Sequence, residues 1–235
     1  MSNHGMRQQK KLAKQKAKRT EKKTQLGRQN STNPAIRLAG SDAWPIVSVL
    51  VPSSLWSNGI GNLFIARRMP NGSLAVGCFL VDAYCLGVKD ASWMIKTDGQ
   101  YQEIVERAEG AGGKMDSVKP EYFAKLIWDA VDYAAASGLP PHADFRLTSL
   151  LLSGIDRSLC DTKFEFGLDG KPYFVQGPHD SPERVRLIMS RITQVGGNWT
   201  LAVGEDSPYA KAIDLAESDA DVDFDDESDE SEEPE

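Results

Sequence analysis

Between Phe79 and Asp90 the sequence FLVDAYCLGVKD sets an aspartate, a tyrosine, a cysteine and then a lysine–aspartate pair into an apolar run. A carboxylate half-buried beside Tyr84, with Lys89 and Asp90 just past Gly87, has its proton affinity displaced by burial and by neighbouring charge, which is how catalytic and ligand-binding groups are prepared. The simpler use of the same residues is structural: Asp82 accepts from backbone amides, in the SNGIG loop on this reading, and Lys89 pairs with a nearby acid. Cys85 becomes a nucleophile only if His142 or His179 stands within hydrogen-bond reach to take its proton. Without such a base, a lone cysteine in an apolar strand is packing. Asp82, Cys85, Lys89, His142 and His179 are thus the candidate catalytic residues, for a hydrolase or transferase.

Two loops bring histidine and carboxylate together. PPHADF holds His142 and Asp144, and QGPHDSPE holds His179 and Asp180 just before a helix. Both residue types ligate metals, but neither spacing specifies an ion, and Asp180 has ordinary work as a helix cap, so no metal is assigned. Backbone amides at that helix start, with Arg184 and Arg186 beside them, are also suited to an anion. Nucleotide chemistry has no support. EGAGGKMD lacks the first glycine of a phosphate-binding loop and the Ser or Thr after its lysine. NGIGN leads into a strand and lacks the third glycine of a dinucleotide fingerprint. There is no GxSxG, and no cofactor is implied.

The two ends carry opposite charge. Residues 1–28 hold seven Lys, three Arg and one Glu, a net of +9, whereas residues 214–235 hold thirteen acids and no base. The overall −7 conceals this polarity. Lys10, Lys11, Lys14, Lys16, Lys18, Arg19, Lys22 and Lys23 form an array that binds polyanions by counterion release or serves as a solubilising extension. The acidic end resembles, in composition only, tails that occupy basic protein partners or mask a basic arm, with Phe224 as its one aromatic anchor. Trp44, Trp56, Trp93 and Trp128 suit base stacking, but core and rim packing is their commoner use.

The elements that must position these groups are legible in part. PIVSVLVP predicts a strand bounded by prolines. GNLFIARRMPNGSLAVGCFLVDAYC predicts a hairpin with a two-residue turn at Asn71-Gly72. Pairing Pro70 with Ser73 sets Ile65 opposite Cys78, Phe64 opposite Phe79 and Gly61 opposite Asp82. Both faces are apolar, so the hairpin belongs in the middle of a sheet covered on both sides. Arg67 and Arg68 close its first strand as solvated charges. Residues Phe123, Leu126, Ile127, Ala130, Val131 and Ala134 predict a helix between Pro120 and Gly138. Shorter helices are expected at Tyr101–Ala108 and Phe145–Leu152, and a further one after Asp180 or Ser181 with Val185, Ile188, Met189, Ile192 and Val195 as its apolar stripe. KFEFGLDGKPYFV predicts a second hairpin turning at Asp169-Gly170, and NWTLAVG a last strand.

Together these predict an α+β fold: residues 42–209 form a single domain with a mainly antiparallel sheet on the Asn71-Gly72 hairpin, covered by about four helices. Residues 1–41 are a basic disordered arm and linker, and residues 210–235 an acidic disordered tail. No apolar run reaches the length of a membrane span, no secretory signal opens the chain, and three cysteines without CxxC spacing suit a reducing compartment. The expected setting is cytoplasmic. The expected function is a non-catalytic nucleic-acid or ribonucleoprotein-associated protein that binds through the arm. The alternatives are the enzyme above and a protein-interaction module acting through the acidic tail.

Overall fold

The β-branched and aromatic runs form five strands: β1 (Ile46–Pro52), β2 (Ile60–Arg68), β3 (Leu74–Asp82), β4 (Gly87–Lys96) and β5 (Met115–Ser117). In this computed structural model, which describes residues 34–177, 180–200 and Leu215, they make one antiparallel sheet in the order β4-β3-β2-β1-β5. The β2–β3 hairpin is central, and apart from half-buried Arg68 every residue of both strands is buried. The fold is a single α+β domain, as the doubly apolar hairpin requires. The expectations for the basic arm, for His179 and for the acidic tail other than Leu215 fall outside the described residues.

Among the described residues six α-helices accompany the sheet: α1 (Pro34–Leu38), α2 (Leu55–Asn58), α3 (Asp98–Gly112), α4 (Pro120–Ala136), α5 (Phe145–Thr148) and α6 (Pro182–Gln194). The three long ones carry identifiable end signals. Thr97 and Gln100 form a reciprocal capping box at the start of α3. Pro120 opens α4, whose end is a Schellman turn in which Gly138 N–H donates to Ala135 O and Leu139 N–H to Ala134 O. Ser181 accepts from Arg184 N–H to cap α6. One sheet face, with Leu63, Ile65, Phe79 and Val81, is covered by Phe123, Leu126, Ile127 and Ala130 of α4, by Phe145 and by Leu151. The other, with Phe64, Ala66, Leu74, Val76 and Cys78, is covered by Tyr101, Ile104 and Ala108 of α3 and by Leu215.

The hairpin turns where the sequence places it, but its register differs by one residue. Leu63 pairs with Phe79, Phe64 with Cys78 and Gly61 with Val81. The cause is Pro70, which takes part in a three-residue loop, Pro70 to Gly72, closed by Met69 N–H donating to Ser73 O at 2.8 Å. A two-residue type I′ turn needs positive φ at both central residues. Gly72 has it, at +93°, but Asn71 does not, Asp169 being the one non-glycine residue in that region among those described. The one-residue shift re-sorts the side chains. Leu63 and Ile65 share a face with Phe79 and Val81, not with Cys78 and Leu80 as the two-residue turn predicts.

Two other expectations change. Asp169 and Gly170 do form a tight left-handed turn closed by Leu168 and Lys171, but pairing stops at that bridge. Beyond it β6 (Tyr173–Val175) pairs in parallel with β7 (Asn198–Thr200), so the second hairpin is a turn without a ladder. Two buried residues also lie outside the expected bounds of 42 and 209. Leu38 is buried in the core cluster on the α4 face, and Leu215, assigned by sequence to the acidic tail, is buried against α3 and the second sheet face.

Gly87 shows how tightly the site end of the sheet is packed. Its φ is +62°, and a Cβ there would lie 2.3 Å from the Ala130 carbonyl oxygen of α4. Gly72, also left-handed, has open space around it. Gly87→Ala is therefore expected to lower stability by about 3 kcal/mol, against about 1 kcal/mol for Gly72→Ala, where only backbone strain acts. Urea unfolding of both variants checks this; equal losses would mean that α4 yields freely at Ala130.

Candidate functional site

The stretch FLVDAYCLGVKD does not leave the core. It is a second hairpin, in which Asp82 pairs with Gly87 and residues 83–86 form the loop. Asp82 is fully buried. Its Oδ1 accepts from Tyr84 N–H at 3.0 Å and Cys85 N–H at 2.9 Å, so the carboxylate satisfies amides of its own turn. The loop backbone is tied to three other segments. Ala83 N–H donates to Gly59 O, Gly167 N–H to Ala83 O and Tyr173 N–H to Tyr84 O.

Lys89 owes its orientation to a bulge. Val88 faces Val81 and Asp90 faces Leu80, leaving Lys89 as the extra residue on its strand. The bulge turns this lysine into a buried position, where Nζ lies 3.4 Å from Asp180 Oδ2. Asp180 is itself buried and accepts from Gly177 N–H at 2.8 Å through the same oxygen. Its role is thus as a partner for Lys89, while Ser181 performs the capping. His142 N–H donates to Val88 O on the β4 edge, and its Nδ1 lies 3.2 Å from Asp90 Oδ1 and 3.8 Å from Asp144 Oδ2.

An open cleft of about 270 Å³ runs between α6 and the loop after α4. Lys89, His142 and Arg184 supply its polar side chains, and Leu86, Leu139, Pro140, Pro141, Leu187 and Ile188 most of its apolar wall. Of the predicted site residues the structure brings Lys89 and His142 to this cleft. Asp82 and Cys85 are not among its lining residues, and His179 lies outside the described residues. Among the described residues no group of three or more His, Cys, Asp or Glu side chains is arranged to hold a metal ion.

Cys85 sits in apolar packing with Leu86, Ala134 and Phe174 at 1% exposure. Burial pushes its thiol pKa well up, the Asp82 carboxylate pushes it further, and Lys89 opposes them weakly. The group is a neutral thiol at physiological pH, the reverse of an activated nucleophile. Buried Cys78 places its thiol 3.6 Å from Asn62 Oδ1, and Cys160 is half-buried. In the folded chain at pH 8 only Cys160 is expected to react with an aromatic disulfide reagent, the other two reacting after unfolding. Prompt reaction of two or three thiols would contradict this packing. The raised pKa has a second consequence. Above the ordinary thiol pKa of about 8.5 the unfolded state holds fewer protons than the folded one, so this group makes stability fall with rising pH, by up to about 1.4 kcal/mol per pH unit.

Sequence reasoning missed Arg67. The residue expected as a solvated charge is 2% exposed, because its side of β2 faces the α4 core. Nε donates to Leu151 O, Nη1 to Ser41 O and Trp44 O, and Nη2 to Ser153 O, at 2.7 to 3.0 Å. Arg68 points the other way and pairs with Asp98 at the start of α3. Three of the tryptophans make contacts within the domain. Trp56 stacks on Phe164, Trp93 lies under Arg37, and Trp128 meets Phe145 edge-on beneath Arg157. Their signal in the sequence was no more than residue type.

No family model matches this chain, and neither a curated protein nor a solved structure matches it. Among the described residues no helix is long and apolar enough to cross a membrane.

Proposed function

We propose that the protein is a non-catalytic, cytoplasmic binding protein that associates with nucleic acid or a ribonucleoprotein through its lysine-rich N-terminal arm. The observation that carries this reading is the +9 charge of residues 1–28 attached to an independent α+β domain. Eight cations between Lys10 and Lys23 supply phosphate contacts without sequence preference, by displacing condensed counterions. The domain supplies a partner surface. Supporting this over the hydrolase or transferase reading, Cys85 is a buried neutral thiol, and Asp82 is occupied by turn amides. The cleft carrying Lys89 and His142 is what favours the enzyme alternative, but the amine faces Asp180 and the imidazole faces Asp90. The test is retention of the full chain on single-stranded RNA at low salt, beside a chain in which the eight arm cations are replaced by glutamine. Retention is expected to be lost in the substituted chain, and unchanged retention would remove the basis of the reading.

A further inference from the structure

We propose that the outer edge of β4, from Ala91 to Ile95, is the seam on which a second copy of this chain lays its own β4, antiparallel and about a twofold axis, joining two five-stranded sheets into one. An open row of backbone groups carries this inference. At the β2–β3 turn Met69 N–H donates to Ser73 O, and an antiparallel ladder alternates from such a pair. Ala75, Gly77, Phe79 and Val81 therefore bond to β2, while Leu74, Val76, Cys78 and Leu80 bond to Lys96, Met94, Ser92 and Asp90 of β4. The amides and carbonyls of Ala91, Trp93 and Ile95 point away from the sheet. Near the bulge this edge is closed, since Val88 O accepts from His142 N–H and Asp90 Oδ1 from Ala91 N–H. Beyond it, nothing among the described residues pairs with the Trp93 and Ile95 amides.

A free edge is ordinarily blunted by charge, by proline or by a bulge. The bulge at Lys89 ends before the open part, and ASWMI, from Ala91 to Ile95, holds no charged residue and no proline. Trp93 and Ile95 are half-buried on the α4 face, and Met94 is half-buried on the α3 face. A strand laid beside them covers apolar side chains on both faces while its backbone completes the ladder.

The occupant follows from register. A twofold axis through Trp93 lays the whole open span on itself, with Ala91 opposite Ile95, Trp93 opposite its counterpart and Ser92 opposite Met94, so that outward groups meet outward groups. Moving the axis to Ser92 sets Ile95 against the bulge at Lys89. Moving it to Met94 sets Ala91 against Thr97, whose N–H is spent on Gln100 Oε1 at 2.9 Å. The Trp93 register also places Lys96, which has no ion pair among the described residues, opposite the partner's Asp90 in both halves. Asp90 keeps its contacts with Ala91 N–H and His142, both made through Oδ1. Edge-to-edge pairing is self-limiting: the joined sheet ends on both sides in β5, only three residues long, so the assembly closes at two copies. This inference does not depend on nucleic-acid binding by the arm.

Sedimentation velocity of the full chain, with amide exchange followed at Trp93 and Ile95, tests it. The expected mass is twice the 25.8 kDa of one chain, with both amides protected and their exchange faster on dilution. Ile95→Pro deletes an outward N–H and leaves the bonds to β3 in place. Two ladder bonds are then lost across the seam, and the dissociation constant is expected to rise about thirtyfold. Lys96→Glu sets like charges opposite each other twice and is expected to raise it about tenfold. Urea unfolding checks that each variant folds, and Ser92→Lys, which puts a charge on the open span, replaces Ile95→Pro if that chain does not. A monomer at every concentration, or a dimer that none of these changes weakens, would overturn the proposal. Weakening by Ile95→Pro without any by Lys96→Glu would overturn the register. Protected Trp93 and Ile95 amides in a monomer would assign the edge to another segment of the same chain and overturn the second copy as its occupant.

Discussion

Arg67→Ala is expected to lower the stability of the domain by about 4 kcal/mol, the largest loss of any single substitution of a polar side chain considered in this protein. The guanidinium lies on the apolar face of β2, and its donors are spent on the carbonyls of Ser41, Trp44, Leu151 and Ser153. Those carbonyls belong to two segments that pack on β2 without being part of the sheet, and Arg67 is the group that joins them. Removing it strands several carbonyl oxygens, those of Ser41 and Leu151 in buried residues and those of Trp44 and Ser153 in half-buried ones, each costing about 1–3 kcal/mol if nothing replaces its donor. Burial lowers the Arg67 pKa, and Asp42 opposes the shift, but a guanidinium so far above neutrality stays charged. Arg67→Lys keeps the charge and loses the planar fork, so about half of the loss is expected to remain. Urea unfolding of the full chain measures both. A loss under about 1 kcal/mol for Arg67→Ala would mean that the two segments find other donors or open to water.

How far the sequence speaks is clearest at the hairpin. The apolar faces and the turn residues placed β2 and β3 in the middle of a covered sheet, and the period and end signals located α4 and α6. The register was not legible, since Asn71-Gly72 alone satisfies a two-residue turn and the preceding Pro70 selects the longer one. β4 went unseen for a related reason. Ala91, Trp93 and Ile95 alternate with Ser92, Met94 and Lys96 as a strand should, but the bulge at Lys89 shifts the phase, so Val88 to Asp90 read as a polar exit. β5, at three residues, is too short to announce itself.

The site was legible as a place more than as a set of roles. Asp82, Cys85 and Lys89 lie at one end of the sheet, but of the three only Lys89 lines the cleft. Their partners come from tertiary structure. Asp82 turns inward to two amides of its own loop, Lys89 finds Asp180 from a segment 91 residues away, and His142 reaches Asp90 across the β4 edge. Arg67 and Arg68, as neighbours on a strand, must lie on opposite faces, but that one of those faces is the α4 core emerges only once the sheet is assembled. Leu38 follows the polar linker within a short apolar run, PAIRLAG, and Leu215 stands at the start of the acidic run, so neither position announces a core residue.

The second large effect concerns the arm. If each of the eight cations between Lys10 and Lys23 neutralises one phosphate of a single strand, the logarithm of the binding constant falls with the logarithm of salt at a slope of about −5.6, which is a loss of about 10³-fold between 50 and 200 mM salt. Replacing all eight by glutamine removes most of that term, leaves Arg7 and Arg28 as the remaining arm arginines, and is expected to flatten the slope to about −1. The substitutions lie outside the α+β domain, so its urea midpoint is expected to stay where it was. The most direct measurement is therefore the salt dependence of binding to single-stranded RNA, by the full chain and by the glutamine-substituted chain. A steep slope in the first and a nearly flat one in the second is the predicted result. Equal slopes, or no measurable binding by the full chain at 50 mM salt, would contradict a role for the arm as the polyanion-binding element.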